Sequence, residues 1–60
     1  MATLTQVELS SIREMVASHT TTAVKLSNFA GQCSDPKIKQ MFTQASSEAT
    51  KSANNLMQML

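Results

Sequence analysis

The stretch FAGQCSDPKIKQMF, residues 29–42, contains the only glycine, the only proline and the only cysteine of the 60-residue chain. Asp35 is a residue type that caps helix N-termini, and Pro36 after it suits the first position of a helix. Gly31 and Cys33 come just before, and glycine tolerates the left-handed dihedral angles in which many helices end. These four turn residues predict a corner between two helices.

Upstream of the corner, apolar and small side chains recur at alternating spacings of three and four residues. Thr5 and Glu8 fit a capping box at the start of this pattern. The stripe that follows consists of Leu9, Ile12, Val16, His19, Ala23, Leu26, Ala30 and Cys33. A heptad pattern of this length is typical of the contact face of one long helix.

Downstream of the corner, a second stripe has the same alternating spacing. Its members are Ile38, Phe42, Ala45, Ala49, Ser52, Leu56 and Met59. We therefore predict a single helical-hairpin domain over residues 1–60. Its first helix would span about 6–32, its turn 33–35 and its second helix about 36–59.

The short connection makes the two helices antiparallel neighbours. Two helices cannot enclose a core between them, and a chain this short buries only about 60% of its unfolded surface. We therefore predict an all-α fold in which two hairpins pair as a homodimeric four-helix bundle. We expect Met15 and Met41 in the core, and Met57 and Met59 at an interface. The predicted dimer or partner interface comprises Leu9, Ile12, Val16, Leu26, Phe42, Leu56 and Met59.

The composition argues against several classes of function. Five basic residues against four acidic ones, with neither tryptophan nor tyrosine, do not form a nucleic-acid surface. No apolar run approaches the ~18 residues of a membrane span, and no basic segment leads an apolar one near the N-terminus. No Ser–His–Asp arrangement, phosphate-binding loop or acid/base carboxylate pair can be assembled. We expect a cytoplasmic protein that is not an enzyme and uses no cofactor.

Cys33 and His19 each allow a structural and a chemical interpretation. Cys33 could be a reactive thiol near a helix N-terminus, but a small apolar residue covering the turn is the simpler interpretation. His19 lies level with Glu48 across the hairpin, and it could be a hydrogen-bonded core residue, a metal ligand or a proton-linked switch. Glu14, His19 and Glu48 are the candidate metal ligands across a dimer. A di-iron bundle requires Glu-x-x-His motifs, and Lys51 stands where that histidine would be, so we predict no metal.

At residues 29–60 the chain resembles the spore coat F family of endospore-forming bacteria, and the resemblance extends over most of the chain, from about Leu9 to Leu60. The residues that carry the resemblance are Phe29, Cys33, Asp35, Pro36, Ile38, Phe42, Glu48 and Leu56. The resemblance implies a ferritin-like half-bundle and a structural protein that assembles into the spore coat, with no catalytic residues. Lys51 departs from the histidine common in that family, whose members are often longer.

Three functions remain open at this point. The first is a structural or interaction protein, acting as a homo-oligomer and packing against other coat or helical proteins. The second is a ferritin-like metal or redox bundle that uses carboxylates and histidine across a dimer. The third is a small adaptor or regulator whose helical face binds a partner protein.

Overall fold

The computed structural model describes residues 3–60 and contains two α-helices that pack against each other along their length. Helix α1 spans Gln6–Gln32 and helix α2 spans Pro36–Met57. No strand occurs within residues 3–60. The predicted all-helical hairpin is therefore confirmed. Helix α2 ends two residues earlier than the expected residue 59, because the last residues form a turn.

A capping box starts α1. The Thr5 hydroxyl accepts a hydrogen bond from the Glu8 backbone N–H at 3.1 Å, and the Glu8 carboxylate accepts one from the Thr5 N–H at 2.9 Å. The backbone bond from Thr5, followed by the bond from its side chain, lowers the pKa of the Glu8 carboxyl below its ordinary value of 4.5. This reciprocal pair satisfies two backbone donors that the first turn would otherwise leave unpaired.

The corner uses extended backbone instead of a left-handed residue. Cys33 caps α1 with φ −79° and ψ 134°, and its N–H donates to the carbonyls of Phe29 and Ala30. Gly31 lies inside α1, and no positive φ occurs in the part of the chain that the structure describes. The expectation that Gly31 ends the helix in a left-handed conformation was therefore wrong. The chain leaves the helix at Cys33, where any L-residue can adopt the backbone angles.

Asp35 starts the second helix. One oxygen of its carboxylate accepts hydrogen bonds from the N–H groups of Lys37 at 2.8 Å and Ile38 at 3.3 Å. Pro36 occupies the first helical position, where a missing N–H costs nothing. The predicted cap is confirmed, and with Cys33 it makes the reversal short enough to hold the helices side by side.

The residues of α1 that face α2 match the predicted stripe, since all eight are buried or half-buried. In α2 five of the seven predicted residues are half-buried, namely Phe42, Ala45, Ala49, Ser52 and Leu56, but the contact face extends to Ser46 and Ala53, which corresponds to a modest rotation of the helix about its axis. Ile38 and Met59 are 47% and 52% exposed, whereas Ala53 is only 3% exposed and Ser46 is half-buried. We call the residues between the helices the contact line. In α2 it consists of Phe42, Ala45, Ser46, Ala49, Ser52, Ala53 and Leu56.

Small side chains explain the rotation of α2. The Ser46 hydroxyl donates a hydrogen bond to the Ala23 carbonyl on α1 at 2.8 Å, which requires the helices to approach closely. Ala53 permits the same approach one heptad further along α2. The rotation moves Met41 outward, where it is 69% exposed, and Met15 is also exposed on α1. These two methionines therefore lie outside the interior of a single hairpin, and their expected place in a core stays a prediction for the paired form.

The interior of a single hairpin is small. Among residues 3–60 the buried ones are Ile12, Ala23, Ala30 and Ala53, and three of these four are alanine. No side chain within residues 3–60 is completely removed from solvent. The molecule is an elongated slab, with Cα extents of 47 × 16 × 9 Å.

Candidate functional site

Several of the exposed large apolar side chains lie on one broad side of the hairpin. Both helices are right-handed and run in opposite directions, so a residue that immediately precedes a contact-line position lies on the same side in either helix. Met15, Phe29 and Met41 each occupy such a position, before Val16, Ala30 and Phe42 respectively. All three side chains are exposed.

Two further residues of α2 and its C-terminal turn share this side. Ile38 is three residues before Met41 but eighteen residues, or five full turns, before the contact-line residue Leu56, so it lies at the edge of this side next to the contact line. Met59 is eighteen residues after Met41, in the turn that follows α2. We call this surface the apolar side. It consists of Met15, Phe29, Ile38, Met41 and Met59.

A groove opens on the apolar side near the turn. It has a volume of about 430 Å³. The Phe29 and Phe42 rings form one wall, with centroids 5.8 Å apart and planes inclined by 51°. The residues that line the groove are Leu26, Phe29, Gln32, Cys33 and Phe42. An apolar side chain from another helix would fit this shape, because the walls are mostly carbon and sulfur.

A polar belt interrupts the apolar side halfway along the helices. Thr22 and Glu48 precede the contact-line residues Ala23 and Ala49, so they lie on the same side as the exposed methionines. A second, smaller recess of about 320 Å³ begins beyond this belt. Its walls are formed by Ser11, Glu14, Met15 and Ser18. The belt thus separates an apolar cluster at the turn from a more polar region at the open end.

The opposite broad side is more polar along the contact line. The residues that immediately follow contact-line positions of α1 include Arg13, Thr20 and Ser27, and all are exposed. Two large apolar residues also lie on this side, Val24 at 56% exposed and Met57 at 46% exposed, because they follow the contact-line residues Ala23 and Leu56. Met57 was expected at an interface with Met59, but the two lie on opposite sides of the hairpin. The two sides of the hairpin therefore differ in chemistry, which distinguishes a candidate interaction surface from an ordinary solvated face.

His19 is half-buried on the contact line. Its Nδ1 donates to the carbonyl oxygen of Met15 at 2.7 Å, and since a carbonyl only accepts, Nδ1 carries the proton. Glu14 and Glu48, the other candidate metal ligands, are exposed. Within residues 3–60, no three His, Cys, Asp or Glu side chains are close enough together to hold a metal ion. The structure thus places His19 in a local helical hydrogen bond and leaves the three candidates apart.

Cys33 has a structural position. It is half-buried, it ends α1 through its backbone N–H, and its side chain contributes to the groove. This placement agrees with the interpretation of Cys33 as a small apolar residue covering the turn.

The structure divides the predicted interface residues into two sets. Met59 is exposed on the apolar side. The remaining six lie on the contact line within one hairpin, namely Leu9, Ile12, Val16, Leu26, Phe42 and Leu56. The heptad analysis did not identify Phe29 and Met41 as outward-facing. The sequence did contain a sign of this arrangement. Ser46 and Ala53 are both small, and they are spaced one heptad apart, so they could contact α1 in place of Ile38 and Met59.

Comparison with known proteins does not identify a family. No family model, curated protein or solved structure matches this chain. Neither helix of residues 3–60 combines the length and the apolar character needed to cross a bilayer.

Proposed function

We propose that this chain is a non-enzymatic structural protein that acts as a homodimer, in which two hairpins pair through their apolar sides as a four-helix bundle. One observation carries the proposal. Within residues 3–60 the hairpin buries only four residues, three of them alanine, while five large apolar side chains stand exposed on or at the edge of one side. A second copy would cover those side chains and supply the interior that one hairpin lacks.

The exposed surface of the hairpin supports this proposal quantitatively. A compact monomer of 6.5 kDa has an accessible surface of about 3,800 Å². The hairpin exposes 4768 Å², an excess of about 950 Å². A standard interface buries about 800 Å² per partner. A rectangle of 47 × 16 Å, the size of one broad side, has an area of about 750 Å². One broad side therefore matches both the excess surface and a stable interface in size.

The resemblance to the spore coat F family gives the proposed module a biological setting. In that setting the dimer would be a small building block that packs into the spore coat. Fractionation of an endospore-forming host that expresses the tagged chain tests this part. Recovery with the isolated coat layers is expected, and recovery only in the soluble fraction of mature spores would contradict it.

The dimer itself is tested by absolute mass in solution. Light scattering on a sizing column, across a range of loading concentrations, is expected to give a mass of twice 6.5 kDa at the upper end. A mass of 6.5 kDa at every concentration, with full helicity by circular dichroism, would overturn the proposal. In that case the apolar side would serve another protein's helices, and the adaptor hypothesis would take its place.

A further inference from the structure

We infer that the two hairpins of the dimer pair with their turns at the same end, so that Phe29 of each copy packs over Ile38 and Met41 of the other. This inference rests on the proposed function and specifies the geometry of the same surface. It follows from the positions of apolar and charged residues along the long axis of the apolar side.

The apolar residues are unevenly distributed along the axis. At 1.5 Å per residue, Phe29, Ile38 and Met41 all lie within about 10 Å of the turn. The groove opens at the same end. Met15 and Met59 lie about 28 Å and 37 Å from the turn, on the far side of the polar belt. The turn end therefore holds a dense apolar cluster, and the open end holds two separate methionines.

Two symmetric arrangements would bring two apolar sides together. In the first, the two-fold axis runs parallel to the helices, and the turns of both copies lie at one end. Helix α1 of each copy then lies over α2 of the other. Phe29 comes near the level of Ile38 and Met41 of the second copy, because all three lie within about 10 Å of the turn. Apolar side chains meet apolar side chains, and the groove of each copy is closed.

In the second arrangement, the two-fold axis is perpendicular to the helices, and the turn of one copy lies at the open end of the other. Each helix then lies over its own equivalent. Met41 of one copy comes level with Ser52 and Asn55 of the second copy and has no apolar partner. Ile38 comes near the level of Met59 and Phe29 near that of Met15, so the apolar cluster at the turn is divided between the two ends of the dimer.

Glu48 distinguishes the arrangements by charge. It lies on the apolar side near the middle of the hairpin. With turns at opposite ends, the two copies of Glu48 would face each other across the interface, and Lys51, which lies on the same side of α2 one turn away, would offset only part of their repulsion. With turns at the same end, they lie on diagonally opposite helices, and each faces Thr22 of the second copy. Both the apolar match and the charge separation favour turns at the same end.

The orientation can be measured with two single-cysteine variants. The background is Cys33→Ala, which removes the natural thiol without leaving a label in the groove. Ser34→Cys then places a nitroxide label at the turn, and Asn54→Cys places one near the open end. Both positions are exposed in the hairpin. Each protein is first required to keep the helicity of the unmodified chain, and its mass is measured before labelling.

Double electron–electron resonance then measures the distance between the nitroxide labels on the two copies. With turns at the same end, two labels at position 34 are expected about 10–20 Å apart, since packed helices are ~8–10 Å apart. A mixed dimer with one label at 34 and one at 54 would give about 30 Å or more. With turns at opposite ends, the distance between the two labels at position 34 would be the long one, about 40 Å, and the distance between positions 34 and 54 would be the short one.

The outcomes separate this inference from the proposed function. A dimeric mass with a short distance between turns supports both. A dimeric mass with a long distance between turns overturns the inference and leaves the homodimer standing. A monomeric mass for the unmodified chain overturns the proposed function, and the inference falls with it.

Discussion

Replacing Met41 with glutamate is expected to weaken the proposed dimer by about two orders of magnitude while each hairpin stays folded. Met41 is 69% exposed in the hairpin, and the second copy would cover most of that surface. Full burial of a methionine side chain contributes about 1.5–3 kcal/mol, so two partly buried copies contribute about 2–4 kcal/mol. This free energy corresponds to a dissociation constant about 30- to 700-fold weaker, before the cost of placing carboxylates at the interface.

Val24→Glu is the matched control. Val24 is 56% exposed and lies on the opposite side of the hairpin, so the substitution adds the same charge to a helix without touching the proposed interface. Sedimentation equilibrium across a dilution series gives both dissociation constants, and circular dichroism checks that helicity is retained. Equal weakening by the two substitutions would refute the assignment of the apolar side, as would an unchanged dissociation constant for Met41→Glu.

Three further predictions concern the hairpin itself. Ser46→Ala removes the hydrogen bond to the Ala23 carbonyl and should lower the free energy of unfolding by about 0.5–1.5 kcal/mol relative to the exposed control Ser47→Ala, measured by urea denaturation. Asp35→Ala removes the cap of α2 and should cost about 0.5–2 kcal/mol in the same assay, whereas Asp35→Asn should retain most of the stability. The pKa of Glu8 is lower in the folded state than in the unfolded state. Glu8 therefore contributes fully to the free energy of unfolding at pH values above its unfolded pKa, and this contribution is lost as the pH falls through its folded pKa. Unfolding followed between neutral pH and pH values below 4.5 should show a loss of stability at acid pH that is reduced in Glu8→Gln.

Each of these three has a result that would contradict it. Equal stability of Ser46→Ala and Ser47→Ala would mean that the contact between the helices does not depend on the hydroxyl. An Asp35→Asn variant as unstable as Asp35→Ala would point to the charge at the helix terminus instead of the cap hydrogen bonds. An unchanged acid profile for Glu8→Gln would assign the pH dependence to other carboxylates.

The helices and their caps could be predicted from the sequence because the chemistry that sets them is local. Thr5, Glu8, Asp35 and Pro36 each act within one turn of their own position, so their spacing along the chain is sufficient. The contact face of α1 was also predictable, since its heptad stripe leaves little choice of orientation.

The rotation of α2 could not be predicted from its heptad pattern. Ile38 and Met59 fit the stripe, but Ser46 and Ala53 take up the contacts with α1 because a close approach of the helices favours small residues. The deciding hydrogen bond joins Ser46 to Ala23, residues far apart in sequence and coupled only after the hairpin forms. The apolar side depends on that rotation, because the rotation of α2 also moves Met41 away from α1.

An interior built mainly of alanine has a consequence for how the amount of folded protein is set in the cell. A hairpin that buries so little has a small stability of its own, so pairing would shift the folding equilibrium by mass action. Dilute chains would then spend more time open to proteases than chains present at high concentration. Unpaired copies would be degraded while the chain concentration stays below the dissociation constant of the dimer. The paired form would accumulate once the concentration exceeds that constant.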